Sequence, residues 1–113
     1  MKKSLPFLCA VISISAVASP LTVNTVGHSP ATYHCNDGTR VIANYYALSD
    51  KSLQFVKLNF DKTEVTLPAV ISGSGSRYSD GYQTEWWRKG NSATLTRDIN
   101  NKEPKLVECS VVP

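Results

Sequence analysis

Val70–Leu95 reads VISGSGSRYSDGYQTEWWRKGNSATL, two runs of strand-forming residues on either side of Asp80-Gly81. An Asp-Gly pair between such runs is a strong hairpin signal. A two-residue turn there sets Ser74 opposite Trp87 and Ser72 opposite Lys89, on one face of the sheet. A three-residue loop would flip one arm relative to the other. In the first arm serine alternates with glycine, and Gly73 and Gly75 remove side chains where strand packing would want them. That pattern marks a bulge, a bend or close approach by a partner. The second arm carries Trp86 and Trp87, then Arg88, Lys89 and Gly90.

Working outward, the same alternation recurs. Thr32–Cys35 leads through Asn36-Asp37-Gly38 into Thr39–Ala47, a first hairpin rich in β-branched and aromatic residues. Leu53–Phe60 puts Val56, Leu58 and Phe60 on one face, and Asp61-Lys62 turns the chain into Thr63–Leu67, with Val65 and Leu67 inward and Pro68 at an end or edge. After the hairpin come Ser92–Arg97, carrying Ala93 and Leu95, a turn at Asn100-Asn101-Lys102, and Lys105–Val111. Tyr45-Tyr46 and Trp86-Trp87 each divide into one inward and one outward ring, because adjacent strand residues face opposite ways. No stretch repeats apolar residues at helical spacing, so the expectation is an all-β antiparallel domain of eight short strands, a small barrel or sandwich. Closure into a barrel would hide the sheet edges of so short a chain.

Met1-Lys2-Lys3, the apolar run Leu5–Ala16 and the Ala16-Val17-Ala18 site read as a signal peptide over residues 1–18. Residues 19–30 read as a flexible segment and 31–113 as the domain. Leu8 stands where a lipidated cysteine at position 9 would need a small residue, so the expectation is a soluble exported protein with no membrane anchor. Of 12 basic and 9 acidic residues the leader removes Lys2 and Lys3, taking the formal charge from +3 to +1. A nearly neutral chain gives no reason to expect nucleic-acid binding. Two cysteines remain, and an exported Cys35 and Cys109 can form one intramolecular disulfide, tying the first strand to the last. With only His28 and His34 beside them and no C-x-x-C spacing, neither a metal nor another cofactor is expected.

Catalysis finds little support. His28 lies in the flexible segment, the Gly73-Ser74-Gly75 triplet lacks the helix a nucleophile elbow needs, and Glu85 and Glu108 are the only in-strand carboxylate candidates. The expectation is therefore a protein that is not an enzyme. Binding is better supported, since Arg77, Tyr78, Tyr82, Trp86, Trp87, Arg88 and Lys89 crowd into one hairpin, and aromatics with arginine dominate interface hot spots. A carbohydrate-binding module stacking Trp86 or Trp87 and Tyr82 on sugars is the alternative. Assembly through strand edges is a third reading.

Tyr33-x-Cys35, Ser74-Gly75-x-Arg77-Tyr78, Trp87-x-Lys89-Gly90-x-x-Ala93-x-Leu95 and the late Cys109 resemble the periplasmic and membrane-bound inhibitors of chicken-type (c-type) lysozyme. The likeness runs from Tyr33 to Cys109. It implies an eight-stranded antiparallel barrel that presses a loop into the lysozyme cleft and blocks peptidoglycan hydrolysis, acting as a monomer or homodimer. Ser74 and Lys89 match the positions that enter the cleft. Arg77 and Tyr78 would stand behind them, Arg88 beside Lys89, and Gly75 and Gly90, with Gly73, would permit the backbone shape.

Overall fold

Alternation of apolar and polar residues along the chain becomes alternation of buried and exposed side chains in a computed structural model that describes residues 20–113. The expected leader and Cys9 lie outside the described residues. The strands are β1 (Val23–Thr25), β2 (Ala31–Cys35), β3 (Arg40–Leu48), β4 (Gln54–Phe60), β5 (Thr63–Val70), β6 (Ser76–Ser79), β7 (Thr84–Lys89), β8 (Ser92–Arg97) and β9 (Lys105–Val111). Each of β2 to β9 pairs antiparallel with the next, and β9 pairs back onto β2, so eight strands close into a barrel. Strand β1 is a ninth, outside the circuit. It lies where β2 stops, pairing Val23 with Leu48 and Thr25 with Tyr46 along the upper half of β3. All three of its residues are exposed, which is why the segment 19–30 reads as featureless in sequence.

The inward residues are those the pattern selects: Val41, Ala43 and Tyr45 on β3, Val56, Leu58 and Phe60 on β4, Leu67 on β5, and Ala93 and Leu95 on β8. Trp86, with no exposed surface, fills the centre. Its indole N–H donates to the Tyr45 hydroxyl at 2.8 Å, that hydroxyl meets Tyr33 Oη at 2.9 Å, and the Tyr33 ring stands edge-on to the indole at 4.9 Å. A buried indole donor therefore has its acceptor. Burial, reinforced by the Tyr33 hydrogen bond, drives the Tyr45 phenol far above its ordinary pKa, so that hydroxyl stays neutral at every physiological pH.

Cys35 and Cys109 are direct cross-strand partners in the β2–β9 pair, and the disulfide between them bridges 74 positions at the seam where the barrel closes.

The central hairpin differs from the two-residue turn expected of Asp80-Gly81. Tyr78 pairs with Trp86 and Ser79 with Glu85, so the connection runs over Asp80–Gln83. The cause is the Asp80 carboxylate. Its Oδ1 accepts the N–H groups of Tyr82, Gln83 and Thr84 at 3.1, 2.8 and 3.0 Å, and Ser79 Oγ accepts that of Gly81 at 2.9 Å. One side chain thus satisfies the backbone of a longer loop that a two-residue turn would not need. The register moves by three residues, and Arg77 rather than Ser74 faces Trp87. The serine-glycine stretch is accordingly not a strand arm. Strand β5 continues to Val70, opposite Arg77, and residues 71–75 form a loop.

Two outcomes are expected. Replacing Cys35 and Cys109 together by serine removes a long loop closure and lowers stability by about 4 kcal/mol, read from urea unfolding. For Asp80, burial acts to raise the carboxyl pKa, but the three N–H donors outweigh it and hold it below the ordinary value. Because the folded pKa lies under the unfolded one of about 3.9, the stabilisation is complete above that pH and is lost as pH falls through the folded value. Asp80→Ala should cost about 1–2 kcal/mol at neutral pH, and its difference from the parent should shrink below about pH 4.

Candidate functional site

Strand β7 turns Thr84, Trp86 and Arg88 toward the barrel interior and Glu85, Trp87 and Lys89 outward. Trp87 is half-buried and every neighbour uses it. Its Nε1–H donates to the Ser74 carbonyl at 2.8 Å, Lys89 Nζ stands 4.5 Å from its ring centroid, and the Arg77 guanidinium lies 5.6 Å from the same ring. Arg77 Nε is also bound to Glu85 Oε1, and its Nη1 donates to the Ile71 carbonyl at 3.3 Å. Ser72 Oγ closes the loop from within, donating toward the carbonyls of Ser74 at 3.1 Å and Gly75 at 3.0 Å. A loop of serine and glycine has thereby lost most of its freedom.

Gly75 shows how close the loop lies to β7. It has φ +66°, and a Cβ there would press on the Arg88 carbonyl and come within 2.8 Å of Lys89 Cγ and 3.3 Å of Trp87 Nε1. Only glycine suits both the backbone conformation and the space. The result is a ledge on which the exposed Ser74, through its carbonyl, and the exposed Lys89, through its ammonium, both meet Trp87.

The remaining residues expected at the site fall in three places. Tyr78 is buried, tilted against Tyr45 at 5.7 Å, and supports the ledge from inside the barrel. Arg88 points away from Lys89, into the barrel mouth, where its guanidinium sits 5.0 Å over the Tyr45 ring and lines a cavity of about 60 Å³ with His28, Tyr33 and Asn91. Gly90 turns the chain from β7 into β8 with φ +60° and nothing near it. Of the carboxylates once considered for catalysis, Glu85 is held by Arg77, and Glu108 accepts the Thr94 hydroxyl at 3.1 Å. Sequence reasoning gave Glu85 no part in the ledge, because its pairing with Arg77 depends on the hairpin register. Of the two indoles of the sugar-stacking alternative, Trp86 is sealed in the core, and Trp87, half-buried, has Arg77 and Lys89 at its ring. Tyr82, 64% exposed, lies in the β6–β7 connection, away from the ledge.

Fold and site together define a small disulfide-sealed antiparallel barrel that presents a stiffened serine-glycine loop beside a lysine. Residues 33–104 match the family described as membrane-bound lysozyme-inhibitor of c-type lysozyme, and the chain belongs to that family. It is 38% identical over 72 residues to a protein of Pseudomonas aeruginosa named membrane-bound lysozyme inhibitor of C-type lysozyme, a match covering 64% of this chain and 55% of that one. A Yersinia enterocolitica protein of the same name is 38% identical over 66 residues, covering 58% and 51%. The chain spans about half the length of the curated relatives it matches. The matched span contains the whole ledge.

Gly75→Ala should displace the loop and cost more than about 1 kcal/mol in urea unfolding, from strain at positive φ added to the collision with β7. Gly73→Ala, where nothing stands within 4 Å of the added carbon and φ is not positive, should leave stability unchanged.

Proposed function

We propose that this protein inhibits c-type lysozyme by seating the 71–75 loop and Lys89 in the enzyme's cleft, so that the glycan strand of peptidoglycan cannot enter. The observation that carries this reading is the ledge: Ser74 and Lys89 are adjacent, exposed and backed by Trp87 and Arg77. A lysozyme of this class cuts with one protonated carboxylic acid and one ionised carboxylate facing each other across a narrow cleft. An ammonium group placed against the ionised member forms a charge-assisted pair in a water-poor site. A serine hydroxyl donates or accepts, and so suits either protonation state of the other. The protein acts by occupying both groups and the space of the sugar between them, with no chemistry of its own.

Family membership and the names of both relatives support the same partner. One copy of the chain carries every part of the ledge, so a monomer suffices. On this reading it works in the cell envelope, where peptidoglycan is cut. With a formal charge close to zero once a leader is removed, long-range attraction is weak and affinity rests on fit within the cleft.

Lys89→Ala should weaken inhibition by on the order of 2 kcal/mol, about 30-fold in the inhibition constant, measured by clearance of a bacterial cell-wall suspension by a c-type lysozyme. Unchanged inhibition by this variant would remove Lys89 from the contact.

A further inference from the structure

Ile71 is 93% exposed, the most accessible large apolar side chain among the described residues. On a loose tip such a side chain could fold back against the protein. Here the backbone that carries it is tied down, because Arg77 holds its carbonyl and the turns of the loop are fixed by Ser72 and by Trp87. Its chain neighbour Val70 is 38% exposed. Val70 faces Arg77 on the outer surface, and Phe55 faces Pro68 on the neighbouring pair. The loop therefore carries the Ser74 carbonyl on the Trp87 indole toward one end and the bare Ile71 side chain at the other.

A surface that takes in Ser74 comes close to Ile71, since only two residues separate them on a loop tied down at both places. Lysozyme's general acid supplies a matching surface, because a carboxylic acid that stays protonated near neutral pH is kept so by apolar walls. We infer that Ile71 is an apolar anchor that packs against the nonpolar wall beside the protonated acid of the lysozyme cleft. This assignment rests on the inhibitory reading above and gives each side of the ledge its own counterpart. Lys89 meets the ionised carboxylate, and Ile71 meets the hydrocarbon that keeps the other carboxyl neutral.

The test uses the purified protein and its Ile71→Ser, Ile71→Leu and Lys89→Ala variants. Inhibition is read from cell-wall clearance, the heat capacity of binding from calorimetry at several temperatures, and folding from thermal melting. Burial of a side chain of this size is worth about 10- to 100-fold in an equilibrium constant. Ile71→Ser should therefore weaken inhibition at least about 10-fold and make the binding heat capacity less negative, with an unchanged melting midpoint. Ile71→Leu should stay within about threefold of the parent, its volume and polarity being conserved. Inhibition by Ile71→Ser within about twofold of the parent, while Lys89→Ala is impaired, would overturn the anchor and leave the inhibitory reading standing. Equal losses in the serine and leucine variants would also overturn it, because loop geometry and not apolar contact would then be what matters. A parent protein that does not inhibit at all would remove the reading beneath it and the anchor together.

Discussion

Arg77 faces Trp87 across the β6–β7 pair, and the outer ledge follows from that pairing. The guanidinium reaches sideways to Glu85, upward to the Ile71 carbonyl and over the indole because it starts from the position directly opposite the ring. A slip of one residue would send every β7 side chain to the other face. Trp87 would then enter the barrel and Trp86 would leave it. Asp80 guards against this from the far end of the hairpin, since its three backbone hydrogen bonds satisfy only a connection of the observed length. The carboxylate that shapes one end of the strand pair thus fixes the geometry of the ledge at the other.

Adjacent tryptophans are costly unless each has separate work, and here they do. Trp86 is the largest fully buried side chain and finds its hydrogen-bond acceptor in Tyr45. Trp87 turns outward, where its N–H fixes the loop and its ring receives two cations. The core that results is small, as it must be in a barrel of this size. Covalent closure at the β2–β9 seam therefore carries a large share of the stability.

How far sequence reveals this structure depends on which kind of information a feature uses. Period-two patterning is local, and it located Val56, Leu58, Phe60, Leu67 and Leu95 inside and divided both aromatic pairs correctly. Strand count and two cysteines near the ends of the strand series narrowed the architecture to a barrel or sandwich and favoured closure, and the family resemblance pointed to the barrel. Hairpin register did not follow, because Asp-Gly announces a turn without stating its length, and the length was set by how many N–H groups one carboxylate could satisfy. Strand β1 escaped notice since three exposed residues show no alternation at all. The motif residues of the ledge were visible as a group. Their division into Ser74 and Lys89 outside, Tyr78 inside and Arg88 in the barrel mouth needed the true register.

The loop's chemistry explains why so much of the site is scaffolding. Ordering five residues costs about 1–2 kcal/mol each in backbone entropy, and serine with glycine lies toward the expensive end. If that cost fell due on binding, it would consume the gain from a single buried ion pair and from an apolar contact together. The Trp87 N–H, the Arg77 fork and the Ser72 hydroxyl meet it during folding instead, which on the proposed reading leaves the contact energy available to the complex. Lys89 is handled the other way. An exposed cation over an indole is worth only about 0.5–1 kcal/mol, less than a charge-assisted pair in a desolvated cleft. On the proposed inhibitory reading, the ring holds the ammonium in the free protein and yields it to a carboxylate in the complex.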